Sequence, residues 1–127
     1  MGKLLADRLK KRADFLRAQK GIRKSSAGLT LEVCATPDPI GRDGCFRLGF
    51  TASRKVGGAV ERNRAKRRLR AAARAILPLQ ARERTDYVLI ARPATLTRPY
   101  ADLLKDLAQT LAAAHVRLAP VPGAGEA

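Results

Sequence analysis

The sequence predicts an α+β fold, a small and mainly antiparallel sheet with helices packed on it. Three observations carry this expectation. Two early stretches alternate apolar and polar residues with the period of a half-buried strand. Two later stretches space their apolar residues as a helix does, and between them lies a run that is apolar without alternation, as in a strand covered on both faces. The chain has 127 residues, the size of one domain, and residues 1–118 are read as that domain with 119–127 as a flexible tail.

In chain order, residues 12–20 lack Gly, Pro and β-branched residues and precede Gly21, so they read as a short helix capped by that glycine. Residues 28–35 put Leu29, Leu31 and Val33 on one face of a strand and Thr30, Glu32 and Cys34 on the other. Residues 36–44 hold Pro37, Pro39, Gly41 and Gly44 and form a loop. Residues 45–53 alternate again, with Phe46, Leu48, Phe50 and Ala52 facing inward. Two strands around so short a loop are most simply an antiparallel hairpin. On that pattern Cys34 and Cys45 both face outward, and a reducing cytosol keeps them apart as thiols. Gly57 and Gly58 break the strand, and a helix is expected over 59–77, stopped by Pro78. Residues 86–92 form the doubly covered strand. Thr97 resembles an N-cap with Pro99 in the first turn, and Tyr100, Leu103, Leu104, Leu107 and Leu111 share the core-facing stripe of a last helix.

Charge points to the partner. Lys and Arg number 26 against 11 Asp and Glu, a net +15. Residues 1–24 contribute +7 and residues 54–74 contribute +8, which leaves the other 82 residues neutral. A uniformly solubilising surface is not distributed this way, so a polyanion is implied. Within the second helix, Ala65, Leu69, Ala72 and Ile76 fall in one sector that docks on the sheet. Arg62, Lys66, Arg70 and Arg74 follow across the next sector, and Arg64, Arg67 and Arg68 continue around the exposed side. Only Glu61 is acidic, so the face repels itself until it meets phosphates. Arginine forks favour structured nucleic acid over a lipid surface.

The stretch Arg47-Leu48-Gly49-Phe50-Thr51-Ala52-Ser53-Arg54-Lys55-Val56-Gly57, continued by Ala59-Val60-Glu61-Arg62-Asn63-Arg64-Ala65-Lys66-Arg67-Arg68-Leu69-Arg70, resembles the protein subunit of bacterial ribonuclease P. Arg8-Leu9-Lys10-Lys11 with Asp14-Phe15 is similar to that family's N-terminal segment, and residues 86–92 to its late strand. The resemblance implies a ribosomal-protein-S5-domain-2-like fold with a left-handed βαβ crossover. It also implies a basic subunit that binds a catalytic RNA and helps remove the 5′ leader of precursor tRNA, the chemistry being carried by Mg²⁺ bound mainly by the RNA. By the same resemblance, Arg62, Asn63, Arg64, Lys66, Arg67, Arg68 and Arg70 contact the catalytic RNA, while Phe15, Arg12, Arg54 and Lys55 hold the single-stranded leader. Two positions depart from the family's pattern. Gln19 stands where many members have a second aromatic residue, and Gly57-Gly58 where Gly-Asn is common.

Rival functions have less support. A protein-only nuclease needs clustered carboxylates or a histidine pair, but His115 is the only histidine, and Asp102 and Asp106 beside Lys105 look like solvent-face charges. A ribosomal protein or general RNA chaperone fits the charge distribution and remains the alternative. DNA is disfavoured because no helix-turn-helix spacing accompanies the basic helix. No apolar run suits a membrane span or a signal peptide, so a cytoplasmic protein is expected.

Overall fold

The computed structural model describes residues 3–118, so the expected tail at 119–127 lies outside the described residues. The elements are β1 (Leu5–Arg8), α1 (Arg12–Gln19), β2 (Ile22–Ser25), β3 (Leu29–Ala35), β4 (Cys45–Ala52), α2 (Ala59–Gln80), β5 (Thr85–Ala91) and α3 (Tyr100–Arg117). Single 3-10 turns at Arg54–Val56 and Pro93–Leu96 lead into α2 and α3.

The five strands form one sheet in the order β1-β4-β5-β3-β2. The expected β3–β4 hairpin is therefore absent, because β5 lies between the two strands. It pairs antiparallel with β3, from Leu29↔Ala91 to Ala35↔Thr85, and parallel with β4, from Arg47↔Asp86 to Ala52↔Ala91. Alternation reveals which face of a strand is buried but not which strand it pairs with, and the loop after β3 is long enough to cross one intervening strand. β5 is buried along nearly its whole length, which suits the central position. With β1 also parallel to β4, and β2 antiparallel to β3, the sheet is mixed rather than mainly antiparallel.

Helices α2 and α3 cover one face, where Leu29, Leu31, Val33, Phe46, Leu69, Leu77, Tyr87, Leu89, Leu103, Leu107 and Leu111 make the main core. The other face carries α1 over a small cluster of Leu9, Ala18 and Val88, flanked by Phe15, Cys34 and Ile90. Covering both faces changes the fate of the cysteines. Both are free thiols, but Cys45 is buried rather than outward because β1 and the Arg84 turn close over its strand end. Cys34 is half-buried beneath α1, where burial first and the nearby Asp86 second push its thiol up to about 11.

Local chemistry explains three further departures. Gly21 has no left-handed conformation to supply; it is needed because a Cβ there would collide with the Val33 carbonyl oxygen. Pro78 does not stop α2 but sits inside its last turn, where it forfeits one backbone bond while its own carbonyl accepts the Leu4 N–H at 2.8 Å. Thr97 closes the 3-10 turn instead of capping α3, whose N-cap is Pro99.

Candidate nucleic-acid interface

Helix α2 turns Ala65, Leu69, Ala72, Ala73 and Leu77 fully inward, with Ile76 partly buried at the margin. Asn63, Arg64, Arg67, Arg70 and Arg74 are exposed, and Arg62 and Lys66 half-buried. Among the described residues none of these cations takes part in an ion pair. Glu61 is occupied in capping the helix, its Oε1 accepting the Gly58 N–H at 2.9 Å. The outward face therefore keeps its positive charge uncompensated. Arg68 departs from the expectation. Its side chain folds back on the turn before α3, where Nη2 donates to the Arg98 carbonyl at 2.6 Å and Nη1 to the Thr95 carbonyl. This arginine clamps α2 to that turn.

On the opposite face of the sheet, residues align in rows across the strands. One row runs Cys34, Asp86, Arg47 and Asp7, and the next runs Arg23, Glu32, Val88 and Gly49. Arg47 anchors α1. It donates through Nε and Nη2 to both oxygens of Asp86, at 2.8 and 2.7 Å, and through Nη2 to Asp14 of α1 at 3.1 Å. Thr36 donates to Asp86 at 2.7 Å and Arg17 to Asp14 at 2.9 Å, which completes the network. Burial alone would raise the Asp14 carboxyl, but hydrogen bonds from Arg17 and Arg47 outweigh it and hold the group below its usual value. Sequence reasoning read Arg47 and Asp86 only as landmarks of a resemblance. Their opposed register on two adjacent strands became visible once β4 and β5 were paired.

Gly49 makes room for Phe15: a Cβ there would come within 2.6 Å of the ring. Phe15 consequently packs against β4 and borders two clefts. One, of about 290 Å³, lies between α1 and the sheet and is lined by Arg12, Phe15, Leu16, Gln19, Arg23, Glu32, Thr51, Val88 and Ile90. The other, of about 390 Å³, opens past the end of β1 and joins Phe15, Leu9 and Gly49 to Phe50, Lys66 and Arg70. There the Arg70 guanidinium sits 5.4 Å from the centre of the Phe50 ring. The expected leader residues Phe15 and Arg12 thus come together in one cleft, whereas Arg54 and Lys55 stand exposed on the turn beyond Thr51 and line neither. The two expected binding surfaces are contiguous, since Lys66 and Arg70 of α2 share a cleft with Phe15.

The remaining polar candidates are structural. Asp106 is not a solvent-face charge but is buried, gripping Arg98 through bonds of 2.8 and 3.1 Å. His115 Nε2 and the Tyr87 hydroxyl share a hydrogen bond of 2.7 Å, and that hydroxyl also receives the Arg82 N–H at 2.8 Å. Burial and the charge of Arg82 push the imidazole down to about 4. Among the described residues no three His, Cys, Asp or Glu side chains come together as a metal site. Asp14, Glu32, Asp86 and Asp106 are each engaged by an arginine.

The comparisons with known proteins agree with this architecture. The family model for ribonuclease P matches residues 5–115, nearly all of the described chain. The chain belongs to the ribonuclease P protein family. A ribonuclease P protein component from Caulobacter vibrioides is 51% identical over 105 residues, covering 83% of this chain and 68% of the relative. One from Ruegeria pomeroyi is 47% identical over 115 residues, covering 90% and 88%. The crystallised RNase P protein of Staphylococcus aureus superposes with a TM-score of 0.67 at 30% identity, covering 86% of this chain and 95% of that one. The Thermotoga maritima RNase P protein shares the fold, with a TM-score of 0.66 at 24% identity. Membership in the ribonuclease P protein family identifies a protein subunit of the tRNA-processing ribonucleoprotein and displaces the ribosomal-protein and RNA-chaperone alternative.

Proposed function

We propose that this ribonuclease P protein binds a catalytic RNA through the outward face of α2 and the leader of precursor tRNA through the cleft under α1. The observation that carries the reading is the uncompensated charge of α2: Arg62, Arg64, Lys66, Arg67 and Arg70 lie on one helix without an acidic partner among the described residues. Phosphate oxygens supply the missing partners, with Asn63 hydrogen bonding beside them. Arg68 acts in this scheme by fixing the helix. In the cleft, Phe15 offers a face for base stacking, Arg12 neutralises backbone charge, and Arg54 and Lys55 extend the positive track beyond Thr51.

Cleavage is assigned to the RNA subunit with Mg²⁺ held mainly by RNA, and the protein's part is to screen the repulsion between two polyanions and to align the leader. A cytoplasmic location goes with these partners; no described helix is long and apolar enough to cross a membrane. DNA and lipid surfaces are not part of the proposal. The test is reconstitution. Rigorously RNA-free protein should leave precursor tRNA intact, and adding a bacterial ribonuclease P RNA should release the leader and leave a 5′-phosphate on the tRNA at low Mg²⁺. Cleavage by protein alone would overturn the assignment.

A further inference from the structure

A third cleft, of about 240 Å³, lies between β1 and the C-terminal half of α2, on the face of the sheet away from α1. Its apolar walls are Ala6, Phe46, Leu48, Phe50, Ala73 and Pro78. Ala6 pairs with Phe46 at the open edge of the sheet, so their side chains share the face that α2 covers. A methyl group is all that β1 contributes at this point. Ala6 is therefore exposed, and Leu48 and Phe50 are only half-buried. The polar side chains of the lining are Arg70 and Arg74 alone. Both are exposed, and neither has an acidic partner among the described residues.

Arg70 and Arg74 stand one helical turn apart, about 6 Å along the axis, a spacing that two successive phosphates of one strand can match. The base carried between those phosphates then points into the apolar cleft. A lipid chain or an apolar side chain would fill the same space and leave both guanidinium groups without a partner, whereas a nucleotide answers the cleft and the arginines together. No hydrogen-bonding side chain lies on the floor, so a base is held there by its face, through stacking and exclusion of water. We propose that this cleft receives one unstacked base of the catalytic RNA, with Arg70 and Arg74 on the phosphates to either side. This rests on the reading of α2 given above and extends it from phosphate contact to the insertion of a nucleotide, with Arg74 as an added contact.

The test measures binding of the full chain to a bacterial ribonuclease P RNA without substrate. Ala6→Leu fills the cleft from an exposed position, and its melting temperature should match the parent's. Its affinity for the catalytic RNA should fall about tenfold, the scale of one stacked base, with an unchanged salt dependence. Arg74→Ala should also weaken binding and flatten the salt dependence by somewhat less than one unit. A fully paired RNA duplex is the control, because it offers phosphates but no unstacked base. Arg74→Ala should weaken binding to the duplex as well, and Ala6→Leu should not. Parent-like affinity of Ala6→Leu for the catalytic RNA would overturn the proposal, and so would an equal loss on the duplex. Arg62→Ala and Arg64→Ala separate the two levels of argument. If they too leave catalytic-RNA affinity unchanged, the α2 face itself is misassigned; if they weaken it and Ala6→Leu does not, the cleft alone is.

Discussion

Replacing Arg47 with alanine should lower the stability of the free protein by about 3–5 kcal/mol, the cost of orphaning a buried charge partner. The magnitude follows from what is left behind. The Asp86 side chain has no solvent exposure and receives two of its three side-chain hydrogen bonds from Arg47, so in the variant only Thr36 still donates to it. Asp14 keeps Arg17 but loses its link to the sheet. Small domains have only about 5–15 kcal/mol in total, so the loss should be plain in urea titrations run in sulfate-containing buffer. The orphaned carboxylate is the cause, so adding Asp86→Asn to Arg47→Ala should recover part of the loss, a non-additivity readable in a double-mutant cycle. The acid limb should also change. The Asp14 carboxyl lies below 3.8 in the folded protein, so its ion pairs stabilise above that pH, and the contribution disappears as pH falls through the folded value. That part of the acid dependence should shrink in Arg47→Ala. A loss under about 1 kcal/mol, or strict additivity with Asp86→Asn, would refute the reasoning.

Arg62→Ala and Arg64→Ala should each weaken association with the catalytic RNA by about 1–3 kcal/mol and flatten its salt dependence by somewhat less than one unit. Arg68→Ala should instead register in thermal or urea unfolding, by about 1–3 kcal/mol, because the Thr95 and Arg98 carbonyls lose their donor. A purely electrostatic effect on RNA affinity for Arg68→Ala would contradict its inward placement. Gly49→Ala should displace the Phe15 ring and selectively reduce affinity for substrates with long leaders; equal losses for mature tRNA would count against a stacking role. His115 should make stability fall as pH drops from about 6.5 toward about 4, because across that window the unfolded chain binds the proton that the folded chain refuses. Urea midpoints at pH 7 and pH 5 should therefore lie closer together in His115→Gln than in the parent, and an unchanged gap would refute the assignment.

The three helices and the longer strands were legible in the sequence, and the short edge strands were not. Helix α2 and strands β3, β4 and β5 announced themselves because their apolar residues are spaced or clustered in a pattern over seven or more residues. Strands β1 and β2 have four residues each and carry charges at exposed edge positions, so no period can establish itself. Among the site residues, the inward sector of α2 could be argued from spacing, whereas the stacking role expected of Phe15 came only from the family resemblance. Arg68 could not be separated from its neighbours, since only the position of the turn before α3 decides that this one arginine folds back. Buried charges were the systematic omission. Glu32, Asp86 and Asp106 look like solvated residues in the sequence, and each became interpretable only with its arginine in place across strands or along the chain.

The central position of β5 has a consequence for how the molecule is made. Synthesis runs from the N-terminus, so β3 and β4 leave the ribosome without the strand that joins them, and α2 follows while the scaffold beneath it is still open. Most of the sheet's pairing is thus of high contact order and waits for residue 91. Until then the arginine-rich helix is an unanchored cationic segment. An anion that settles on α2 during this interval relieves the repulsion along its arginine face, so polyanions are expected to speed the folding of this span.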